Sequence, residues 1–458
     1  MTICASCGRD FEAASDSEHL CPQCAAESQH SAPALAAPAP SRFRRSLESP
    51  TVVLVALNTL VYLIMAIEGH NFLNFDVNLL QSWGANSGAS TSGGQWWRLI
   101  TSTFEHGGLM HLALNMWCLY NLGWLAELLF GRSRFTVLYL LCGIGGSLAS
   151  ICWRGNGLSV GASGAIFGIA GALIPAMLLS SNHKVRMALK GQLISIMLFV
   201  AYSLWAGAAS QVTDNAAHVG GLLTGLVLGA AYPSGISLRE RMGRARVWAG
   251  TLFVLLAFAC AAVFAVRHNQ PYIEIQQAAD AHERGDLAAA VIHAQRAVQL
   301  KPDNAQWQFM LGTLLLDQKQ YADAIAPFTA ATKLRPTWGP SYVNLCLAQR
   351  ELKMLNDALA NCEQGVRFSP TDTESWFNLG RIRYELNDFP GARDALAKAV
   401  SLNPKGFDEN LQYALMLITT GESAKALPYL QMAHNLRPSD EDVEKMLLHV
   451  QSAQSSSH

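Results

Sequence analysis

Two stretches decide how this chain reads: Gly161-Ala162-Ser163-Gly164 and Ala217-His218-Val219-Gly220-Gly221. Each opens a long, nearly chargeless apolar run. A nucleophilic or ionisable side chain at bilayer depth is costly to keep, so its default meaning is a functional site. Serine and histidine on two packed helices have the chemistry of a nucleophile and its general base. Gly161, Gly164 and Gly168 flank the serine, and Gly221, Gly225 and Gly229 follow the histidine at four-residue spacing. Small residues four apart form a helix face that lets another backbone approach closely. Two such faces would bring a hydroxyl to an imidazole, and the reaction this implies is peptide-bond cleavage within a membrane.

Acyl transfer also needs donors aimed at the developing oxyanion. His106, His111 and Asn115 form a His-x4-His-x3-Asn pattern. His111 and Asn115, four apart, share one helix face. With the Ser163 backbone N–H they are candidate oxyanion donors.

Half of the 458 residues are hydrophobic and 15% are charged. That average hides two regimes, apolar over 51–267 and polar but helix-forming over 271–458. The net charge of −1 gives no argument for a nucleic-acid partner. Residues 1–27 are polar and carry cysteines, without the apolar run of a cleavable signal, so the first apolar stretch is expected to be an uncleaved anchor. Seven stretches have about the length of a membrane-spanning helix: 50–67, 108–130, 134–153, 161–181, 189–208, 215–233 and 247–267. Alternate connections hold Arg42, Arg44, Arg45, Arg132, Arg134, Lys184, Arg186, Lys190, Arg239, Arg241, Arg244 and Arg246, against only Arg98 and Arg154 in the others. This bias predicts a cytoplasmic amino terminus and an extracytoplasmic carboxyl-terminal region. The loop over 68–107, with Trp83, Trp96 and Trp97, is expected to lie in the membrane interface. Ser163 and His218 then both enter from the non-cytoplasmic side, to a similar shallow depth.

By this point the residues resemble the rhomboid family of intramembrane serine proteases. The resemblance rests on Trp97-Arg98, the His106/His111/Asn115 pattern, Gly161-x-Ser163-Gly164 and Ala217-His218-x-x-Gly221-x-x-x-Gly225, in family order over about 200 residues. It implies an all-α, polytopic six-helix core at 50–233 and a Ser163–His218 dyad. It also implies an oxyanion hole from His111 and Asn115, and substrates whose transmembrane segments carry small, helix-destabilising residues. A basic loop and seventh span follow at 234–267, similar to the six-plus-one arrangement of the family. Phe167 stands where an aromatic, sometimes tyrosine, packs on the catalytic histidine. Arg98 is read as tying down the first loop and Glu127 as a structural contact. For His106, loop anchoring and a direct catalytic role both remain open. Asp214, four before His218, could complete a triad but is expected in the aqueous mouth. The competing reading is a catalytically inactive rhomboid-like scaffold. A transporter would need several polar helices at the midplane, and these spans are too bare. No cofactor is expected for catalysis, and the expected setting is a bacterial cytoplasmic membrane.

Cys4-Ala5-Ser6-Cys7 and Cys21-Pro22-Gln23-Cys24 make two Cys-x-x-Cys knuckles, the donor set of a tetrahedral four-thiolate zinc shell. So short a segment cannot build a core, so zinc at Cys4, Cys7, Cys21 and Cys24 would supply its folding free energy. Residues 1–27 are expected to be a zinc-ribbon-like module with structural metal; redox-active or disulfide-linked cysteines are the alternative. Residues 28–49, rich in Ala, Pro and Ser, read as a flexible linker. Cys118, Cys142, Cys152 and Cys260 read as small core residues.

Pro302, Pro336, Pro370, Pro404 and Pro438 recur every 34 residues. Ala290, Ala324, Ala358, Ala392 and Ala426 precede them by twelve, and Ala297, Ala331, Gly365, Ala399 and Ala433 by five. That period, with small residues at helix contacts, resembles the tetratricopeptide repeat. It implies an α-solenoid over 271–458, with five repeats, a closing helix and a concave face for a protein or peptide ligand. A rigid spacer without a ligand is the alternative. Cys346 and Cys362, on the two helices of the third repeat, could form a disulfide or simply be small buried residues.

Overall fold

The computed structural model describes residues 2–4, 10–11, 23, 48–155, 157–179, 187, 189–210, 213–232 and 240–455. Cys7, Cys21 and Cys24 lie outside the described residues. Near the amino terminus β1 (Thr2–Ile3) pairs antiparallel with β2 (Asp10–Phe11). All other regular structure among the described residues is helical, as expected of an all-α chain.

Six helices form the membrane core: α1 (Pro50–Glu68), α5 (Leu109–Phe130), α6 (Arg132–Arg154), α7 (Ser163–Leu178), α8 (Lys190–Ser210) and α9 (Asn215–Ala231). Three short helices fold the first loop, α2 (Val77–Trp83), α3 (Gly88–Ser92) and α4 (Arg98–Thr101). The chain reverses at Gly131 and Gly155, both at positive φ, where glycine carries no Cβ penalty. Helix α7 runs through the centre, and thirteen of its sixteen residues are buried. Its Ile166, Ile169 and Leu173 share one core with Leu119 of α5 and with Phe135 and Tyr139 of α6. Leu114, Leu198, Trp205 and Phe253 face outward and are more than half exposed, as a lipid-facing surface requires. Glu127 has the structural role expected: its Oε1 accepts from Thr51 N at 2.8 Å and Ser49 Oγ at 2.6 Å, capping α1 from α5.

The seventh span does not end where hydropathy falls. Sequence places a boundary between 267 and 271, but α10 is one helix from Glu240 to Glu283, with Pro271 inside it. A change from apolar to polar side chains does not break backbone hydrogen bonding, and Pro271 withdraws only one donor. The last part of α10 is the first helix of repeat one. Its partner is α11 (Leu287–Leu300), and four further pairs follow. These are α12 (Ala305–Asp317) with α13 (Tyr321–Leu334), α14 (Gly339–Glu351) with α15 (Leu355–Phe368), α16 (Thr373–Glu385) with α17 (Phe389–Leu402), and α18 (Phe407–Thr419) with α19 (Ser423–Leu436). Helix α20 (Glu441–Ser455) closes the stack.

The five alanines twelve before each proline are all fully buried, which is why the period demands a small residue there. Cys346 and Cys362 are bonded, with Cα atoms 5.4 Å apart, linking the two helices of repeat three. Each repeat turns through a left-handed residue, Gly285, Lys319, Lys353, Asn387 or Gly421, again 34 apart.

Candidate active site

The site is built on contact between two backbones. A Cβ on Gly221, Gly225 or Gly229 of α9 would drive into the carbonyl oxygens of Gly164, Gly168 or Ala172 on α7. Gly146 of α6 closes against Gly164 and Ala217 in the same way. With nothing between the helices, Ser163 Oγ and His218 Nε2 lie 2.9 Å apart. Phe167, one turn after the serine, stacks on the imidazole with centroids 4.1 Å apart and planes within 5°. His218 is buried, and its Nδ1 has no partner among the described residues. Asp214 is committed elsewhere. It caps α9 by accepting from Ala217 N at 3.2 Å and takes a hydrogen bond from Ser150 Oγ at 2.5 Å. Among the described residues the arrangement is therefore serine plus histidine, without a third member.

Gly161 has φ +115°, a conformation that favours glycine. A Cβ there would lie 2.8 Å from His111 Nε2 and 3.4 Å from Asn115 Nδ2. Both side chains thus crowd the backbone just before Ser163. Asn115 Nδ2 is buried and unpartnered among the described residues, and Asn115 lines the same cavity as Ser163. His106 Nε2 accepts from Ala162 N at 3.5 Å, and its ring meets His111 edge-on at 5.1 Å. Burial first, then the His111 ring, holds His106 far below the usual imidazole range, to about 3. It is therefore neutral and able to accept. Arg98 is remote from the dyad, donating to Gln95 Oε1, Gln81 O and Ala85 O and lying over Trp97. It fastens the first loop. Beside His106, Glu105 is buried without a hydrogen-bond partner among the described residues. Burial pushes its carboxyl up to about 8, opposed only by Arg98.

Several supports carry no sequence signal because main-chain atoms make them. Gly161 N donates to Ser102 O at 2.8 Å, and Asn86 and Ser159 exchange two backbone hydrogen bonds. The first loop thereby holds the strand-like segment that leads into Ser163. The Ser150–Asp214 bond was equally invisible, although Asp214 four residues before His218 signals a helix cap. A cavity of about 1440 Å³ contains Ser163, His218, His111 and Asn115, with Trp117 of α5 and Tyr202 of α8 on its walls.

Residues 93–235 match the model of the rhomboid domain, and 275–337 and 373–405 match models of the tetratricopeptide repeat. Rhomboid protease AarA of Providencia stuartii is 33% identical over 213 residues, covering 42% of this chain and 75% of that protein. This chain belongs to the rhomboid family. All four motifs behind the resemblance fall within the matched rhomboid domain. Rhomboid protease GluP of Bacillus subtilis (strain 168) is 30% identical over 311 residues, 68% of this chain and 59% of that one. The mitochondrial RHOMBOID-like protein 6 of Arabidopsis thaliana is 39% identical over 137 residues, 30% and 44% of the respective chains. This rhomboid thus spans about half the length of those two relatives. Among solved structures, YrrB, a tetratricopeptide-repeat protein with an unusual peptide-binding site, aligns at TM-score 0.35 and 19% identity over 41% of this chain and 96% of its own. MamA from Desulfovibrio magneticus RS-1 aligns at 0.35 and 18%, over 38% and 97%. Family and apolar helices together make this rhomboid an integral membrane protein.

Proposed function

We propose that this rhomboid is an intramembrane serine endopeptidase. The observation that carries the reading is the 2.9 Å Ser163–His218 contact inside a cavity walled by apolar spans. His218 Nε2 removes the Ser163 hydroxyl proton as Oγ attacks the scissile carbonyl of a transmembrane substrate. The tetrahedral oxyanion is held by Asn115 Nδ2, His111 and the Ser163 N–H, which are fixed before the reaction starts. His218 then gives its proton to the leaving amine, and water releases the acyl group by the reverse route. Phe167 holds the imidazole plane throughout.

The expected result is cleavage of a transmembrane reporter by purified wild type, and loss of at least about 10³-fold in Ser163→Ala or His218→Ala. A wild type as inert as Ser163→Ala, though folded, would instead support the inactive scaffold.

The repeats are proposed to bind substrate or partner proteins and to lie outside the cytoplasm with the cavity mouth. The charge bias supports this, as does the exit of α10 at the same end of the bundle as Ser163. Deleting 271–458 should then impair native substrates more than a short reporter. At the amino terminus, a structural zinc on Cys4, Cys7, Cys21 and Cys24 is proposed. Cys4 is buried directly after β1, which supports the reading. Chelation should release one zinc per chain and unfold this module alone.

A further inference from the structure

The seventh span carries a buried polar residue that the six-helix core does not contain. Asn269 is 0% exposed, and both its N–H bonds are used: Nδ2 donates to Ser92 Oγ at 3.2 Å and to Ile151 O at 3.0 Å. The first acceptor sits on α3 in the first loop, the second at the end of α6. Gly88 and Gly155 are glycines where Asn269 and Tyr272 come too close for a Cβ. Around this point Leu148, Ile151 and Ala265 form a core onto which Trp96 and Leu99 of the first loop pack.

What lies beyond Ser92 is the reason this matters. Thr91 Oγ1 donates to Asn86 Oδ1 at 2.8 Å, and Asn86 Nδ2 donates to Ser147 O at 2.8 Å. The Asn86 backbone is paired with Ser159, and Ser102 O receives Gly161 N. Ser150, beside Ile151, holds the Asp214 carboxylate that caps the His218 helix. Hydrogen bonds, relayed through the adjacent residues Ser92–Thr91 and Ser150–Ile151, thus join Asn269 to the segments that place both reactive side chains.

We propose that Asn269 is a positioning residue for the reaction centre. By pinning α3 of the first loop to the end of α6, it sets the register of the Leu158–Gly161 segment beneath the oxyanion position. Because α10 continues into repeat one without a break, anything that pulls on the repeats acts first at this joint.

The activity part of the test rests on the protease reading; the exchange part does not. Full-length wild type, Asn269→Leu, Ser92→Ala and the double variant are reconstituted in lipid. Leucine keeps the volume and loses both donors. Reporter turnover is expressed per active site titrated with a serine-directed fluorophosphonate, so that misfolded protein does not count. Displacing backbone near the oxyanion position affects the transition state more than substrate binding. The expected result is therefore a fall of about tenfold in kcat per labelled site, with KM within about twofold. Ser92→Ala should cost less, and the double variant should be no worse than Asn269→Leu alone. Amide exchange should quicken at 84–92 and 158–161. Unchanged kcat per labelled site, with all loss in the labelled fraction, would make Asn269 merely structural and overturn the proposal. If wild type neither cleaves nor labels, the protease reading fails, and exchange alone decides: quickened exchange upholds the joint, and unchanged exchange refutes it.

Discussion

The membrane bundle and the repeat stack both place small residues where helices cross, but to different ends. Between α7 and α9 of the bundle, glycine meets backbone: Gly225 faces the Gly168 carbonyl, with no side chain able to move aside. In the stack, small residues sit under large flexible ones, as Gly380 sits under Leu396 and Gly312 under the Phe328 ring. The surroundings explain the contrast. Lipid gives apolar side chains no reason to associate, so close backbone contact must hold the bundle. Water does give that reason, so Leu, Phe and Ala carry the stack and its small residues merely make room. Chemistry follows from this: the close backbone approach of α7 and α9 is what sets Ser163 Oγ against His218 Nε2.

The largest expected effect attacks that difference directly. Gly225→Val should force α9 off α7 and reduce proteolysis by about 10²-fold or more, measured on reporter cleavage. Its counterpart Gly380→Ala meets a leucine side chain that can rotate, and should lower repeat stability by about 1 kcal/mol in denaturant unfolding, leaving cleavage intact. Equal losses in both would erase the contrast.

The next effect belongs to the stack alone. Replacing Cys346 and Cys362 by alanine frees a loop of 16 residues and should cost the repeats about 3 kcal/mol. Turnover at Ser163 should not change.

A pH-dependent effect belongs to the first loop. The carboxyl of Glu105 is raised from 4.5 to about 8, so the folded loop binds its proton more tightly than the unfolded chain does. That stabilisation is complete at low pH and fades as pH rises from about 4.5 through 8. Glu105→Gln should therefore matter little at pH 5 and raise stability by on the order of 4 kcal/mol at pH 9, read from unfolding temperatures. A pH-independent difference would mean that the carboxyl is not buried as described.

Smallest is the repeat turn. Lys353 holds a left-handed conformation, φ +61°, that Gly421 occupies in repeat five. Lys353→Gly should stabilise the stack by about 0.5 kcal/mol, relief of that conformation outweighing loss of the exposed Lys353–Glu385 ion pair.

These cases also mark how much could be read in advance. Six core helices, the repeat period and the small faces are written in side-chain periodicity, and the sequence carries them plainly. The convergence of Ser163 and His218 was legible because small residues at four-residue spacing on both helices offer a face for close backbone approach. What escaped is made by the main chain or by helix continuity. Ser102 O has no residue signature, and Lys319, Lys353 and Asn387 do not announce positive φ as glycine does. The α10 helix crosses a hydropathy boundary that looks like a domain break. Asn269 escaped because a lone asparagine at the end of a span reads as an interfacial residue until its partners are known.

The most direct test of the account is covalent. A fluorophosphonate probe added to the reconstituted full-length chain should leave one adduct, located on Ser163 by peptide mass spectrometry. Its formation should slow by at least about 10²-fold in His218→Ala while the fold is retained. Labelling of Ser163 at an undiminished rate without His218 would contradict the account, because the serine would then owe its reactivity to something other than the neighbouring imidazole.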